Sequence, residues 1–174
     1  MEKLPKTPGE ILQRSIELEK EGYTFYIESA QKISNSVGKH MLERLAQDEK
    51  NHIQRFTELY NAFADGRIEK IEIIKFEPTT FESVFNRLKE QLEGAIVELG
   101  VSGVDDVEII EMALDLENTT KFFYKSAAES SMDSTIKVFY RLLADEEQAH
   151  YDALQKALEF LDDPSLFFGM QGKL

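Results

Sequence analysis

The 174-residue chain contains no cysteine. Disulfides, thiol nucleophiles, iron–sulfur clusters and cysteine-ligated zinc or iron sites are therefore excluded. It has no apolar run long enough to span a bilayer. Met1 to Lys6 lacks the apolar core of a signal peptide, so the expected setting is cytoplasmic. Basic residues are also in short supply. Against 33 Asp and Glu stand 20 Lys and Arg, for a net charge of −13. Such a chain is repelled by nucleic-acid phosphates and by anionic membrane, and neither is an expected partner. It is compatible with cation binding, although solubility alone accounts for most of the carboxylates. No low-complexity segment or interdomain linker interrupts the sequence. The length suits one domain with a real core, and a hydrophobic content of 42% is ordinary for a folded protein.

Three histidines are present, and two of them share a setting. In Ala144-Asp145-Glu146-Glu147-Gln148-Ala149-His150, Glu147 and His150 interrupt an apolar stripe of Tyr140, Leu143, Leu154, Ala157 and Leu161. Steps of three and four place that stripe on one helix face. A carboxylate and an imidazole three apart point the same way, here toward the core. Burying an ionised carboxylate without a partner is costly, so a partner is expected. The device occurs twice. Glu49 and His52 interrupt a second stripe of Leu42, Leu45, Phe56, Leu59 and Phe63. Glu147 follows Glu49 by 98 positions (147 − 49). The same offset carries Glu19 onto Glu117, Phe25-Tyr26 onto Phe123-Tyr124, Ala30 onto Ala128 and Leu45 onto Leu143. The chain is an internal duplication of a two-helix unit, with one glutamate on the first helix and Glu-x-x-His on the second.

Taken in order, the sequence predicts helices over about residues 8–33, 37–64, 81–99, 106–130 and 134–161. Thr7, Pro8 and Glu10 form a capping box with proline at the first helical position. The first buried stripe is expected to read Leu12, Ile16, Glu19, Tyr23, Tyr26, Ala30. Ser34-Asn35-Ser36 caps the second helix, and Asp65-Gly66 ends it. Residues 67–104 belong to neither repeat. Ile68 to Phe76 reads as an extended crossover. An amphipathic helix over 81–99 then covers the bundle or meets a second subunit, as in a homodimer. Asp105 with Glu108 is expected to cap the third main helix, whose stripe is Ile110, Ala113, Glu117, Thr120, Tyr124, Ala127. Asp133 caps the fourth, which stops before Pro164, and the tail 165–174 follows. Asp48 and Glu146, next to the stripe glutamates, are expected to be solvated, and His40 to be a surface residue.

In a bundle with a long crossover, Glu19, Glu49, His52, Glu117, Glu147 and His150 converge at mid-height. Four carboxylates balance the charge of two divalent cations. Carboxylate and imidazole without thiolate suit iron or manganese, with zinc or cobalt accepted in vitro. One Glu from each of two helices plus Glu-x-x-His from each of the other two is a known pattern of di-iron carboxylate bundles.

On Glu19…Phe25-Tyr26, Glu49-x-x-His52, Glu117…Phe123-Tyr124 and Glu147-x-x-His150, the chain resembles the rubrerythrin branch of the ferritin-like superfamily. The resemblance implies one all-α ferritin-like domain over residues 1–174: a four-helix bundle of two antiparallel pairs joined by a long crossover. It implies two iron ions, with manganese, zinc or a mixed pair as alternatives. Glu49 and Glu147 would bridge the ions, Glu19 and Glu117 would be terminal ligands, and His52 and His150 would each bind one. No catalytic residue is expected beyond these ligands. Tyr26 and Tyr124 pack in the core or hydrogen-bond to a ligand, and Thr120 is a further candidate beside the ligands. Rubrerythrins commonly carry a rubredoxin-like iron–cysteine domain, which a chain without cysteine lacks, so electrons must come from an external donor protein. They also carry a carboxylate three residues after the third helix's glutamate, which exchanges with histidine as the iron changes state. Thr120 holds that position here. The expected function is an oxidoreductase that reduces peroxide or dioxygen. Iron storage with ferroxidase chemistry, and a metal-stabilised interaction module, are the alternatives.

Overall fold

The computed structural model describes residues 4–67, 80 and 104–162. Four long helices are present: α1 (Pro8–Lys32), α2 (Ser36–Ala64), α3 (Val104–Ser130) and α4 (Ser134–Asp162). Consecutive helices pair as hairpins, α1 with α2 and α3 with α4. The hairpins then pack with α1 against α3 and α2 against α4. Among the described residues there is no strand. The crossover helix expected over 81–99 and the tail 165–174 lie outside the described residues.

Local chemistry sets the helix ends. The Thr7 side chain accepts from the Glu10 amide while Glu10 accepts from the Thr7 amide, closing the capping box. Asn35 accepts from the Val37 and Gly38 amides at 2.9 and 3.1 Å. Asp133 accepts from Thr135 and Ile136 at 2.8 and 3.0 Å. Each satisfies donors that the first turn leaves unpaired. At the end of α2, Gly66 takes a φ of 64°, which side chains disfavour. This turn lets the Arg67 amide reach the Ala62 carbonyl at 2.8 Å.

α3 begins at Val104, one residue ahead of the Asp105 expected to cap it. The neighbouring Asp106 has a different task. Its carboxylate accepts from the Ser34 and Asn35 amides at 2.8 and 2.9 Å and is 1% exposed. It thereby ties the start of the second hairpin to the turn of the first.

The apolar stripes build two cores. One gathers Ala30, Leu42, Leu45, Ile110, Ala113, Leu154 and Ala157 near the α1–α2 turn. The other gathers Leu12, Phe56, Leu59, Ala127, Phe139 and Tyr140 at the far end. The stripe of α1 differs from expectation at Tyr23, which is exposed, while Gly22 is buried in its place. Gly22 is the residue that faces Glu49, with room for no more than ordinary contact: a Cβ there would lie 3.6 Å from the Glu49 carboxyl carbon.

Candidate metal centre

Between the two cores lies a layer of buried charge. Glu19, Glu117, Glu147, His52 and His150 are at most 1% exposed, and Glu49 is 4% exposed. Each helix contributes at the height where its apolar stripe is interrupted. Two clusters of potential ligands result. One is Glu19, Glu49, His52 and Glu147; the other is Glu49, Glu117, Glu147 and His150. Within each, one ligand atom per residue lies within 4.8 Å of the others. Glu49 and Glu147 belong to both.

The offset of the sequence repeat reappears as an approximate two-fold arrangement. The Tyr26 hydroxyl donates to Glu117, and the Tyr124 hydroxyl donates to Glu19. His52 Nδ1 lies 3.2 Å from both Glu19 and Glu49. His150 Nδ1 lies 3.5 Å from Glu117 and Glu147. The two imidazoles face each other at 5.6 Å between centroids and 21° between planes.

Burial and mutual charge sort the protons. Burial pushes Glu49 and Glu147 well above the ordinary glutamate value, and the neighbouring carboxylates push them further. Burial also raises Glu19 and Glu117. Here the charges of His52 and His150, with hydrogen bonds from Glu49 and Tyr124 or Glu147 and Tyr26, outweigh it and leave both lowered. Burial lowers each histidine, but the charge of Glu19 or Glu117 prevails, helped at His52 by hydrogen bonds to Glu146, Glu19 and Glu49 and at His150 by carboxylates 3.5–3.7 Å away, and holds both well above the ordinary value. Burial, followed by the adjacent carboxylate charges, drives the Tyr26 and Tyr124 phenols well above theirs. They remain donors. In the metal-free cluster protons are therefore favoured on Glu49, Glu147 and the two imidazoles, and negative charge on Glu19 and Glu117.

The donor set fits divalent cations. It offers oxygen and imidazole nitrogen and no sulfur. Several buried polar atoms of the cluster have no hydrogen-bond partner: Glu117 Oε2, Glu147 Oε1 and His150 Nδ1. Unpaired buried polar atoms are costly, and a cation between them, bound with the imidazole deprotonated, would satisfy them.

The rubrerythrin family profile matches residues 10–158. The chain belongs to the rubrerythrin family. Its fold is accordingly an all-α, ferritin-like four-helix bundle. A solved structure of a hypothetical protein from Pyrococcus furiosus shares this fold, with a TM-score of 0.61 at 22% identity over 89% of this chain and 90% of that one. No curated protein matches the sequence significantly. None of the described helices is long and apolar enough to cross a membrane.

Outside the six, the residues divide. Tyr26 and Tyr124 do both things the sequence allowed: they pack in the cores and bond to cluster carboxylates. Thr120 is buried, but its hydroxyl donates to the Leu116 and Glu117 carbonyls of its own helix. His40 sits apart, its ring against the Ser36 carbonyl at 2.7 Å. Asp48 and Glu146, expected in solvent, are 2% and 1% exposed. Glu146 lies 2.7 Å from His52 Nε2, on the side of the ring away from the cluster. Arg55 holds that carboxylate through contacts of 2.9 and 2.8 Å. Burial raises the Glu146 carboxyl, but His52 and then Arg55 overcome this and bring it to about 2. The sequence did contain the signal. Position 48 maps onto 146 under the repeat offset, and both residues are acidic.

Proposed function

We propose that this rubrerythrin-family chain holds two iron ions and reduces peroxide or dioxygen with electrons from an external donor protein. The observation that supports this most directly is the pair of ligand clusters sharing Glu49 and Glu147. Shared carboxylates suit two ions close together, and a two-ion site can pass two electrons to one oxidant. In this reading Glu19 and His52 complete one position, and Glu117 and His150 the other. When bound, the ferrous pair supplies the electrons and acts as Lewis acid and template. Reducing one hydrogen peroxide to two waters takes two electrons and two protons. The protein's own part is positioning. Tyr26 and Tyr124 fix the terminal carboxylates, Glu146 orients the His52 ring, and the two apolar cores exclude water. The absence of cysteine from the chain leaves the reductant to a partner.

Loading metal-free protein with ferrous iron under anaerobic conditions, followed by elemental analysis, should give close to two ions per chain. A value near zero removes the reading. Thr120 bears on the peroxide step. A threonine whose hydroxyl is spent on its own helix offers no anionic ligand, so the same six residues should hold the iron in both oxidation states. Peroxide oxidation of the ferrous protein should accelerate in Thr120→Glu, provided its iron content equals wild type. Stopped-flow absorbance compares the two, and equal rates would show that a carboxylate at this position does not limit the reaction.

A further inference from the structure

The two halves of the cluster are related by the sequence repeat, yet their supports are unequal. On one side, His52 Nε2 hydrogen-bonds to Glu146 at 2.7 Å, and Arg55 grips the same carboxylate. That contact fixes the ring with Nε2 outward and Nδ1 facing Glu19 and Glu49, so that Nδ1 is the atom that would ligate once its proton is displaced. On the other side, the matching acid is Asp48, one methylene shorter. Its Oδ2 stands 3.7 Å from His150 Nε2, beyond hydrogen-bonding distance. Its Oδ1 is engaged instead by Arg44, one turn earlier on the same helix, at 2.5 Å. Asp48 Oδ2 and both ring nitrogens of His150 consequently lack hydrogen-bond partners. The cations differ in the same sense. Arg55 reaches from α2 across to α4, whereas Arg44 draws Asp48 along its own helix.

We infer that the two metal positions are inequivalent: the His52 position is pre-organised by Glu146 and Arg55 and fills first, while the His150 position fills second because Asp48 falls short of its histidine. The inference rests on the reading of the cluster as a two-ion metal site. An outer partner on a ligating histidine fixes the tautomer and ring angle and raises the basicity of the ligating nitrogen. Its loss typically lowers metal affinity 10–100-fold. Glu146 and Asp48 are positioning residues in this scheme. Lengthening Asp48 to glutamate adds one carbon–carbon bond, about 1.5 Å, which is enough to close the difference between 3.7 and 2.7 Å.

The chain has three histidines, so histidine-selective ¹⁵N NMR resolves the order of filling, with His40 as internal reference. Zinc is the probe, added stepwise to metal-free protein against a competing chelator. The His52 ring nitrogens should respond to the first equivalent and those of His150 to the second, with dissociation constants at least about tenfold apart. In Asp48→Glu the gap should narrow to within about threefold by tightening of the second step. Simultaneous filling in wild type, or His150 first, overturns the inference even if the variant does not fold. A folded Asp48→Glu with an unchanged gap overturns the role given to Asp48. Zinc that shifts neither His52 nor His150 overturns the metal-site reading itself, and the inference with it.

Discussion

Removing metal from the loaded protein at neutral pH should lower its melting temperature by roughly 15–30 °C, and the loss should grow as pH rises. The size follows from binding linkage. An ion present at a thousand times its dissociation constant stabilises the folded state by about 4.1 kcal/mol. For a chain of this size each kcal/mol moves the melting temperature by about 2–4 °C, and there are two positions. The pH dependence follows from which groups hold protons. In the metal-free fold, Glu49, Glu147, His52 and His150 all have raised pKa values. The folded state therefore binds more protons than the unfolded chain. Metal-free stability falls as pH rises from the ordinary glutamate value through these raised values. The metal-loaded fold holds none of these protons, because ligation needs four carboxylates and two neutral imidazoles. Its stability rises with pH wherever the unfolded chain is still protonated. The two curves therefore diverge. Each ion must displace whatever protons its ligands still hold, and each proton displaced makes its affinity rise about tenfold per pH unit. Melting curves at pH 6, 7 and 8, with ferrous iron under anaerobic conditions and with chelator, test this. Parallel curves would contradict the proton assignment, and coincident curves would contradict binding.

The bundle was legible because glutamate is an expensive residue to bury. Four apolar stripes, each broken at the same height by a carboxylate, require the breaks to meet, and the repeat offset identifies which ones. The caps at Thr7, Asn35 and Asp133 were readable from local sequence, because each satisfies its own first turn. What escaped was set by contacts between helices. Asp48 and Glu146 stand beside the seam, about 100° round the helix from Glu49 and Glu147, where a lone helix would expose them. They are buried because α2 packs against α4 at that height and each acid faces the other helix's histidine. Asp106 escaped for a similar reason. Its partners are the Ser34 and Asn35 amides of the opposite hairpin, and it has no capping position of its own. Tyr23 and Gly22 were equally good continuations of the α1 stripe by spacing. The packing of α1 against α2 turns Gly22 toward Glu49 and leaves Tyr23 exposed.

Glutamine substitutions should divide the four cluster glutamates into two pairs with opposite signatures. Glu49 and Glu147 each belong to both ligand clusters. In the metal-free fold burial, and then their neighbours' charge, favour the protonated form of both. Glutamine matches a protonated glutamate in shape and in charge. Metal-free Glu49→Gln and Glu147→Gln should therefore melt within a few degrees of wild type. Yet each loses a ligand from both positions at once, and with it the negative charge between two cations. Iron content should fall from two ions to well below one. Glu19 and Glu117 behave the other way. Each belongs to one cluster, and each is the ionised partner of a buried histidine. Removing one member of a buried ion pair typically costs about 3–5 kcal/mol, so metal-free Glu19→Gln and Glu117→Gln should melt roughly 10 °C lower than wild type. Each nevertheless leaves the other position with all its ligands, and about one ion should remain. Elemental analysis after anaerobic loading and melting of the metal-free proteins read the two signatures independently. If all four variants retain the same iron, the carboxylates are not divided into bridging and terminal roles. If Glu49→Gln and Glu147→Gln destabilise the metal-free fold as much as Glu19→Gln and Glu117→Gln, then Glu49 and Glu147 are ionised in the metal-free protein, and their share of the proton exchange behind the pH prediction is wrong.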